Sequence, residues 1–215
     1  EGILNSFNSI IPSGLNIIIW YGLGIAISYF TKGAMTLGTL VTTVIATPLS
    51  YLVSPLGMVV IIIVFCLSWF FGIHGGSVVF TAIMPLYIAA YATNAELAVA
   101  GKELVFNPIF LYGAVSILGG SGNTLPLCVM GLKSKSKQIS AVSKAALVPG
   151  LFNINEPAIF GFPIMYNPIL LIPFTLNSLV VMGFMYVAYK FGLMSLPQVL
   201  IMTTLPVGIQ SLMST

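Results

Sequence analysis

The sequence predicts an all-α integral membrane protein with broken helices, on three observations. The first is composition. Of 215 residues, 58% are hydrophobic and 5% charged, and the mean hydropathy is +1.09. A soluble domain carries about 45–50% apolar and about 25% charged residues. Seven lysines and four carboxylates cannot cover a soluble chain of this length, so the surface is built for lipid. The second is charge placement: residues 33–95 contain no Asp, Glu, Lys or Arg, and 2–31, 104–132, 157–189 and 191–215 are equally free of them. At about 20 residues per helical span, these stretches leave room for roughly five to seven passes or half-passes. The third is periodicity. No alternation of polar and apolar residues suits a barrel, and Val59–Phe65 is apolar on every face.

Taken in order, residues 15–30 read as a first membrane helix ending near Lys32 and Gly33. Residues 34–55, rich in Thr and Ser with Pro48 and Pro55, are too polar for a span and read as an interfacial or linking helix. Residues 56–72 form the clearest span, His74-Gly75-Gly76 interrupts it, and a helix continues over 77–92. The segment 93–105, with Glu96, Lys102 and Glu103, is the first aqueous loop. Phe106–Met130 is apolar but broken at Gly119-Gly120-Ser121-Gly122-Asn123-Thr124, which looks like the tip of a re-entrant hairpin. Lys133, Lys135, Lys137 and Lys144 form a cationic cluster; cytoplasmic loops collect lysine, which puts the 93–105 loop on the opposite face.

Residues 149–173 carry Pro149 and then Pro157, Pro163, Pro168 and Pro173, each removing a backbone donor. Such backbone is tolerated at membrane depth only where it is buried in protein or lines a wet cavity. Helices are expected to resume over 169–189 and 196–212. Phe106–Leu111 echoes Tyr166–Leu171, and in both an Asn precedes a Pro, the pattern of a capped helix start. Two Gly- and Pro-interrupted segments, 113–126 and 150–168, look like broken helices around a transporter site. Glu1 is not an initiator and no basic leader with a cleavage site follows it, so the chain is expected to be a piece of a longer protein.

The polar residues that membrane burial makes costly are the candidates for function. Glu156, in Asn153-Ile154-Asn155-Glu156-Pro157, has its nearest lysine twelve residues away. An acidic side chain at mid-membrane costs about 2.5–3.5 kcal/mol, and Asn or Ser would cap the following helix without that cost. The competing reading is a helix N-cap facing the dipole, which is compatible with ligand binding. His74 is the only histidine, flanked by glycines that permit close approach; the bland reading is a ring bonded to a carbonyl. Trp69, five residues earlier, can pack its indole against the C–H face of a sugar ring, although membrane tryptophans more often mark the interface. Carboxylate, imidazole, amide and indole together suit an uncharged polyhydroxy ligand. One His and two distant cysteines do not supply a metal site, and no cofactor is expected. Cys66 and Cys128 sit in apolar runs and read as small buried hydrophobes. The absence of arginine argues against nucleic acid. Gly119–Thr124 lacks the Lys-Ser/Thr ending of a phosphate loop.

FNINEPAIFGFPIMYNPILLIPF at 152–174, FFGIHGG at 70–76 and the Lys133–Lys137 stretch together resemble the lactose/cellobiose family of phosphotransferase-system IIC sugar permeases, over essentially the whole chain. The resemblance implies a ten-helix protein with an N-terminal bundle at a dimer interface and a C-terminal transport domain bearing two re-entrant hairpins. Residues 1–33 would be the last helix of the interface bundle, 34–55 a linking amphipathic segment and 56–215 the substrate-binding transport domain. Glu156 and His74 would contact the sugar, with Gly119–Asn123 and Asn153–Pro157 at the hairpins. The substrate-binding set is therefore Glu156, His74, Asn155, Asn153, Trp69, Gly75, Ser121 and Asn123, with no catalytic residue. The resemblance also implies a β-linked disaccharide such as cellobiose, lactose or diacetylchitobiose. The moving transport domain would carry it across the bacterial inner membrane for phosphorylation by cytosolic IIB, itself served by IIA. An ion-coupled secondary transporter with Glu156 as the proton site, and a membrane enzyme using Glu156 and His74 as acid and base, are the alternatives.

Overall fold

A computed structural model describes the backbone of residues 2–201, 205, 206 and 208–215, and the side chains of these apart from 2–10, 41, 42, 45 and 46. Every regular element among the described residues is helical. The chain divides into two compact units, Glu1–Pro48 and Leu49–Thr215.

In the first unit, α1 (Gly2–Phe30) contains a 20-residue stretch, Ile11–Phe30, long and apolar enough to cross a membrane and wholly unburied. It closes at Lys32 and Gly33, both with positive φ, where Gly33 N–H donates to the Ser28 carbonyl at 2.7 Å. The next helix, α2 (Leu37–Ser50), starts with a reciprocal cap: Thr36 N–H donates to Thr39 Oγ1 at 2.8 Å and Thr39 N–H to Thr36 Oγ1 at 3.1 Å.

The second unit is built around α3 (Pro55–Phe70). Ser54 caps it, its Oγ accepting from Gly57 N–H at 3.0 Å, with Pro55 in the first turn. Although its sequence is apolar all round, its burial is one-sided. Met58, Ile61, Ile62, Phe65, Cys66 and Trp69 lie inside at the spacing of one helix face, while Leu56, Val60 and Val64 point outward. Lipid is as apolar as a protein core, so what selects the inner face is shape-fitting contact and not hydrophobicity. The helix has 16 residues, about 24 Å at 1.5 Å per residue, short of the about 30 Å hydrocarbon thickness. The segment that reads as the clearest span is also the unit's central packing helix.

Gly76–Val99 and Pro168–Lys190 are long enough to cross. The former opens with a π-helical turn, Gly76–Phe80, and continues as α4 (Thr81–Val99). It therefore extends past 92 and takes Glu96 onto the helix, so the loop starts later than expected. Asn94 explains the extension. It is buried, its Nδ2 donates to the Pro197 carbonyl and its Oδ1 accepts from Val105 N–H, both at 3.0 Å, which fastens the last turns to the rest of the unit.

Two hairpins follow. A 3-10 segment, Pro108–Ser116, turns over residues 117–124 into α5 (Leu125–Gly131); α6 (Lys137–Leu151) turns over 152–155 into α7 (Glu156–Gly161). At 1.5 Å per residue α5 and α7 are about 10 Å long, so each hairpin enters and returns without crossing. The 3-10 segment and α8 (Pro168–Lys190) both start at an Asn-Pro pair. Asn107 Oδ1 accepts from Ile109 N–H at 3.0 Å and Asn167 Oδ1 from Ile169 N–H at 3.1 Å, so the sequence echo is a shared helix-start chemistry. The core lies where α3, α8 and the 3-10 segment meet, and Cys66 and Cys128 are both buried free thiols.

The helix expected over 196–212 is not formed as such. Residues 194–201 are irregular, the helix present is α9 (Ile209–Ser214), and 202–204 and 207 lie outside the described residues. Pro197 and Pro206 break the run, and Gln198 and Val199 N–H instead donate to the Ser214 carbonyl at 2.8 and 3.1 Å.

A Cβ on Gly57 would stand 2.0 Å from the Leu52 carbonyl oxygen, a backbone atom that cannot swing aside. Gly57→Ala is expected to cost about 1–3 kcal/mol by overpacking, seen as a lowered melting temperature in detergent; an unchanged melt would refute this entry angle for α3.

Candidate binding site

The first wall of the site begins where α3 ends. Gly72 takes a φ of 76°, open to glycine, and Ile73 N–H donates back to the Ser68 carbonyl at 2.8 Å. This reversal delivers His74 to the start of the next helical stretch. There its Nδ1 accepts from Ser77 N–H at 2.9 Å and lies 3.1 Å from Ser77 Oγ, as an N-cap side chain reaches the third helical residue. The Trp69 ring packs on the imidazole, with centroids 4.4 Å apart. Gly75 permits this packing, since a Cβ there would fall 2.7 Å from the Phe65 carbonyl oxygen and 3.0 Å from Trp69 Cδ1. Trp69 is 2% exposed, and its Nε1–H is buried without a partner.

The second wall is the pair of hairpin tips. Asn153 ends α6 with a φ of 61°, a left-handed conformation that asparagine tolerates. Its Oδ1 reaches the other tip and accepts from Gly119 N–H at 3.0 Å and Gly120 N–H at 3.3 Å. Asn155 is buried, and its Nδ2 donates to the Ser121 carbonyl at 2.6 Å. The tips approach so closely that a Cβ on Gly120 would fall 2.7 Å from both the Asn153 carbonyl oxygen and Asn155 Cβ. Within the first tip, Asn123 Oδ1 accepts from Ile117 and Leu118 N–H at 2.9 Å each, and its Nδ2 donates to the Ala114 carbonyl at 2.8 Å. Asn177 on α8 donates to the Gly122 carbonyl at 3.0 Å. Each of these bonds satisfies backbone that a broken helix leaves open.

One residue links the walls. Tyr166, with a φ of 55°, donates its N–H to the Phe70 carbonyl at 3.0 Å and its hydroxyl to the Phe71 carbonyl at 2.9 Å. The chain leaving α7 is thereby pinned to the end of α3.

Glu156 is the first residue of α7, not its cap. The cap position belongs to Asn155, whose side chain is committed to Ser121. The Glu156 carboxylate turns instead to His74, with Oε1 3.6 Å from Nε2, and each side chain is 46% exposed. That gap is too long for a hydrogen bond, and with both side chains half open an oxygen lying to one side of the pair can reach both atoms. A hydroxyl there accepts from Nε2–H and donates to the carboxylate, as neither a hydrocarbon nor an anion can.

Sequence and structure meet differently at each candidate. Glu156 and His74 come together across the fold, with Trp69 and Gly75 behind the imidazole. The Asn153, Asn155 and Asn123 side chains bond backbone at the two tips, and Ser121 contributes its carbonyl to that network. The Trp69 ring lies against His74 at a tilt of 52°. Ser77, Tyr166 and Asn177 went unsingled by sequence reasoning. Asn177 carried a usable signal, being an amide within an apolar span. A separate cavity of about 270 Å³, lined by Thr124, Leu127, Phe174 and Asn177 among others, lies on the α8 side of the first tip.

Apolar helices of spanning length, two short hairpins meeting at their tips, and a half-exposed donor–acceptor pair beside them define a helical integral membrane protein with the architecture of a transporter. Residues 3–178 match the family described as Phosphotransferase system, EIIC, and the chain belongs to that family. Its relatives include the lichenan permease IIC component of Bacillus subtilis (strain 168), 40% identical over 166 residues that make up 75% of this chain and 36% of the relative. The oligo-beta-mannoside-specific EIIC component of the same organism is 32% identical over 218 residues, 99% of this chain and 49% of that one. The crystal structure of the transporter ChbC, the IIC component from the N,N'-diacetylchitobiose-specific phosphotransferase system, superposes with a TM-score of 0.71 at 30% identity, covering 99% of this chain and 50% of that one. The chain thus spans half or less of the length of these relatives.

Removing the Asn153 amide leaves Gly119 and Gly120 N–H without an acceptor. Asn153→Ala is expected to lower stability by about 1–3 kcal/mol, measured by thermal melting in detergent; wild-type melting would mean that the tips are held some other way. Tyr166→Phe keeps the ring and loses one hydrogen bond, for an expected cost of about 1 kcal/mol in the same assay.

Proposed function

We propose that this chain is the sugar-binding part of a IIC permease for a β-linked disaccharide or short oligosaccharide. The observation that carries the proposal is the His74–Glu156 pair, a donor and an acceptor 3.6 Å apart and half open in a chain with almost no charge. The sugars in the relatives' names, lichenan, oligo-beta-mannosides and diacetylchitobiose, share β-linked pyranose units and support that substrate class.

In this reading a sugar hydroxyl bridges Nε2–H and the Glu156 carboxylate. Trp69 and Gly75 back the imidazole, and Asn153, Asn155, Asn123 and Ser121 hold the tips that present Glu156. Transport follows the scheme of the family resemblance. Residues 56–215 form the moving transport domain, residues 1–33 belong to the interface bundle and 34–55 link them. The intact protein is a homodimer, multi-pass in the bacterial inner membrane. Cytosolic IIB, recharged by IIA, phosphorylates the delivered sugar. A phosphate in place of the bridging hydroxyl has no hydrogen to donate at ordinary ionisation and sets negative charge beside a carboxylate, so product leaves. The family match supports this coupling over an ion-coupled one.

Binding of radiolabelled cellobiose and diacetylchitobiose to the intact protein tests the reading. Glu156→Gln keeps the shape but weakens the acceptor, and a loss of at least about tenfold in affinity is expected, the equivalent of about 1.4 kcal/mol. Saturable binding untouched by the substitution would move the site elsewhere.

A further inference from the structure

Ser77 lies outside every motif that carries the sugar-site reading, yet its N–H and hydroxyl both face His74 Nδ1, at 2.9 and 3.1 Å. A backbone N–H can only donate, and that of Ser77 is shared between Nδ1 and the His74 carbonyl at 3.0 Å, so in this arrangement Nδ1 accepts and carries no hydrogen. The proton of the neutral ring is then on Nε2, the nitrogen 3.6 Å from Glu156 Oε1. The opposite tautomer would turn two hydrogens toward each other at Ser77 and present a bare lone pair to the carboxylate. A ring flip that exchanged the nitrogens would put a carbon in place of Nδ1 against the Ser77 N–H and hydroxyl.

We propose that the two ring nitrogens of His74 have separate tasks: Nδ1 caps the helix through Ser77, and Nε2–H is thereby kept as the donor that meets the ligand. Ser77 is a positioning residue for recognition. The consequence is a specificity rule: the site requires a ligand atom that accepts from one side and donates to the other, which selects a free hydroxyl over an ether or a deoxy carbon. This deepens the sugar-site reading and rests on it for the identity of the ligand, whereas the tautomer stands or falls without any ligand.

Nitrogen NMR of ring-labelled histidine in the full-length protein, with the His74 signals assigned by their loss in His74→Asn, reads the tautomer directly. The expected result is a single Nε2–H form in the ligand-free state. An Nδ1–H form, or an even mixture, overturns the proposal even if the sugar binds. Ser77→Pro removes the N–H, so the resonances should shift toward a mixture and affinity should fall about tenfold. Should the proline variant not fold, two substitutions at position 74 divide the nitrogens. Asn imitates the Nδ1 acceptor, so it should keep wild-type melting while losing cellobiose binding. Gln reaches as Nε2 does, so it should melt lower while retaining more binding than Asn. The reverse order of the two variants refutes the division of labour. Lack of cellobiose and diacetylchitobiose binding by wild type, with the Nε2–H form intact, would count against the sugar reading alone.

Discussion

Everything at the hairpin tips depends on one constraint: where water is scarce, each backbone N–H and C=O needs a partner supplied by the protein. A continuous helix meets that demand by itself. A hairpin that stops halfway does not, and Gly119–Thr124 and Phe152–Asn155 are the places where it stops. Asparagine solves the problem because one side chain carries both an acceptor and donors. Asn123 closes its own loop, Asn153 and Asn155 join one tip to the other, and Asn177 holds the first tip to α8. Glu156 is placed by this network, since it follows directly on a residue whose side chain is already anchored.

The His74–Glu156 pair stands beside this network and is half open. Surface carboxylates and imidazoles in water interact weakly and select little. Here the pair joins the chain's single histidine to one of its four carboxylates. The turn at Gly72 and the Tyr166 bonds to Phe70 and Phe71 set the distance between two residues far apart in sequence. The pair is held slightly too far apart to satisfy itself, which leaves its hydrogen-bonding capacity for something that comes between.

Much of this was legible from residues alone, for a physical reason. In an apolar phase an ionisable group or a broken helix is costly enough to stand out, and Glu156, His74 and both tips did. Periodicity was less informative. A helix against lipid and a helix against protein are both apolar, so nothing in Val59–Phe65 announced which face of α3 would be buried. The asparagines of the tips show the other limit. An amide near a site reads as a ligand contact, and only the fold reveals that its partners are backbone groups more than thirty residues away. Likewise an indole five residues from an imidazole suggests a stacking platform, whereas the turn at Gly72 folds the two rings onto each other. Over 196–212 the apolar run suggested a helix, and Pro197 and Pro206 outweighed it.

The buried indole has an optical consequence. Trp69 is buried, its N–H has no protein partner among the described residues, and a buried indole emits at shorter wavelength than a solvated one. Its ring lies against the imidazole 4.4 Å away, at the range where side-chain quenching acts by contact. The one other tryptophan, Trp20, sits exposed on α1 and reports on different surroundings. The protein therefore carries an intrinsic lamp behind its own binding pair, and any guest that moves His74 changes its colour or brightness without a label.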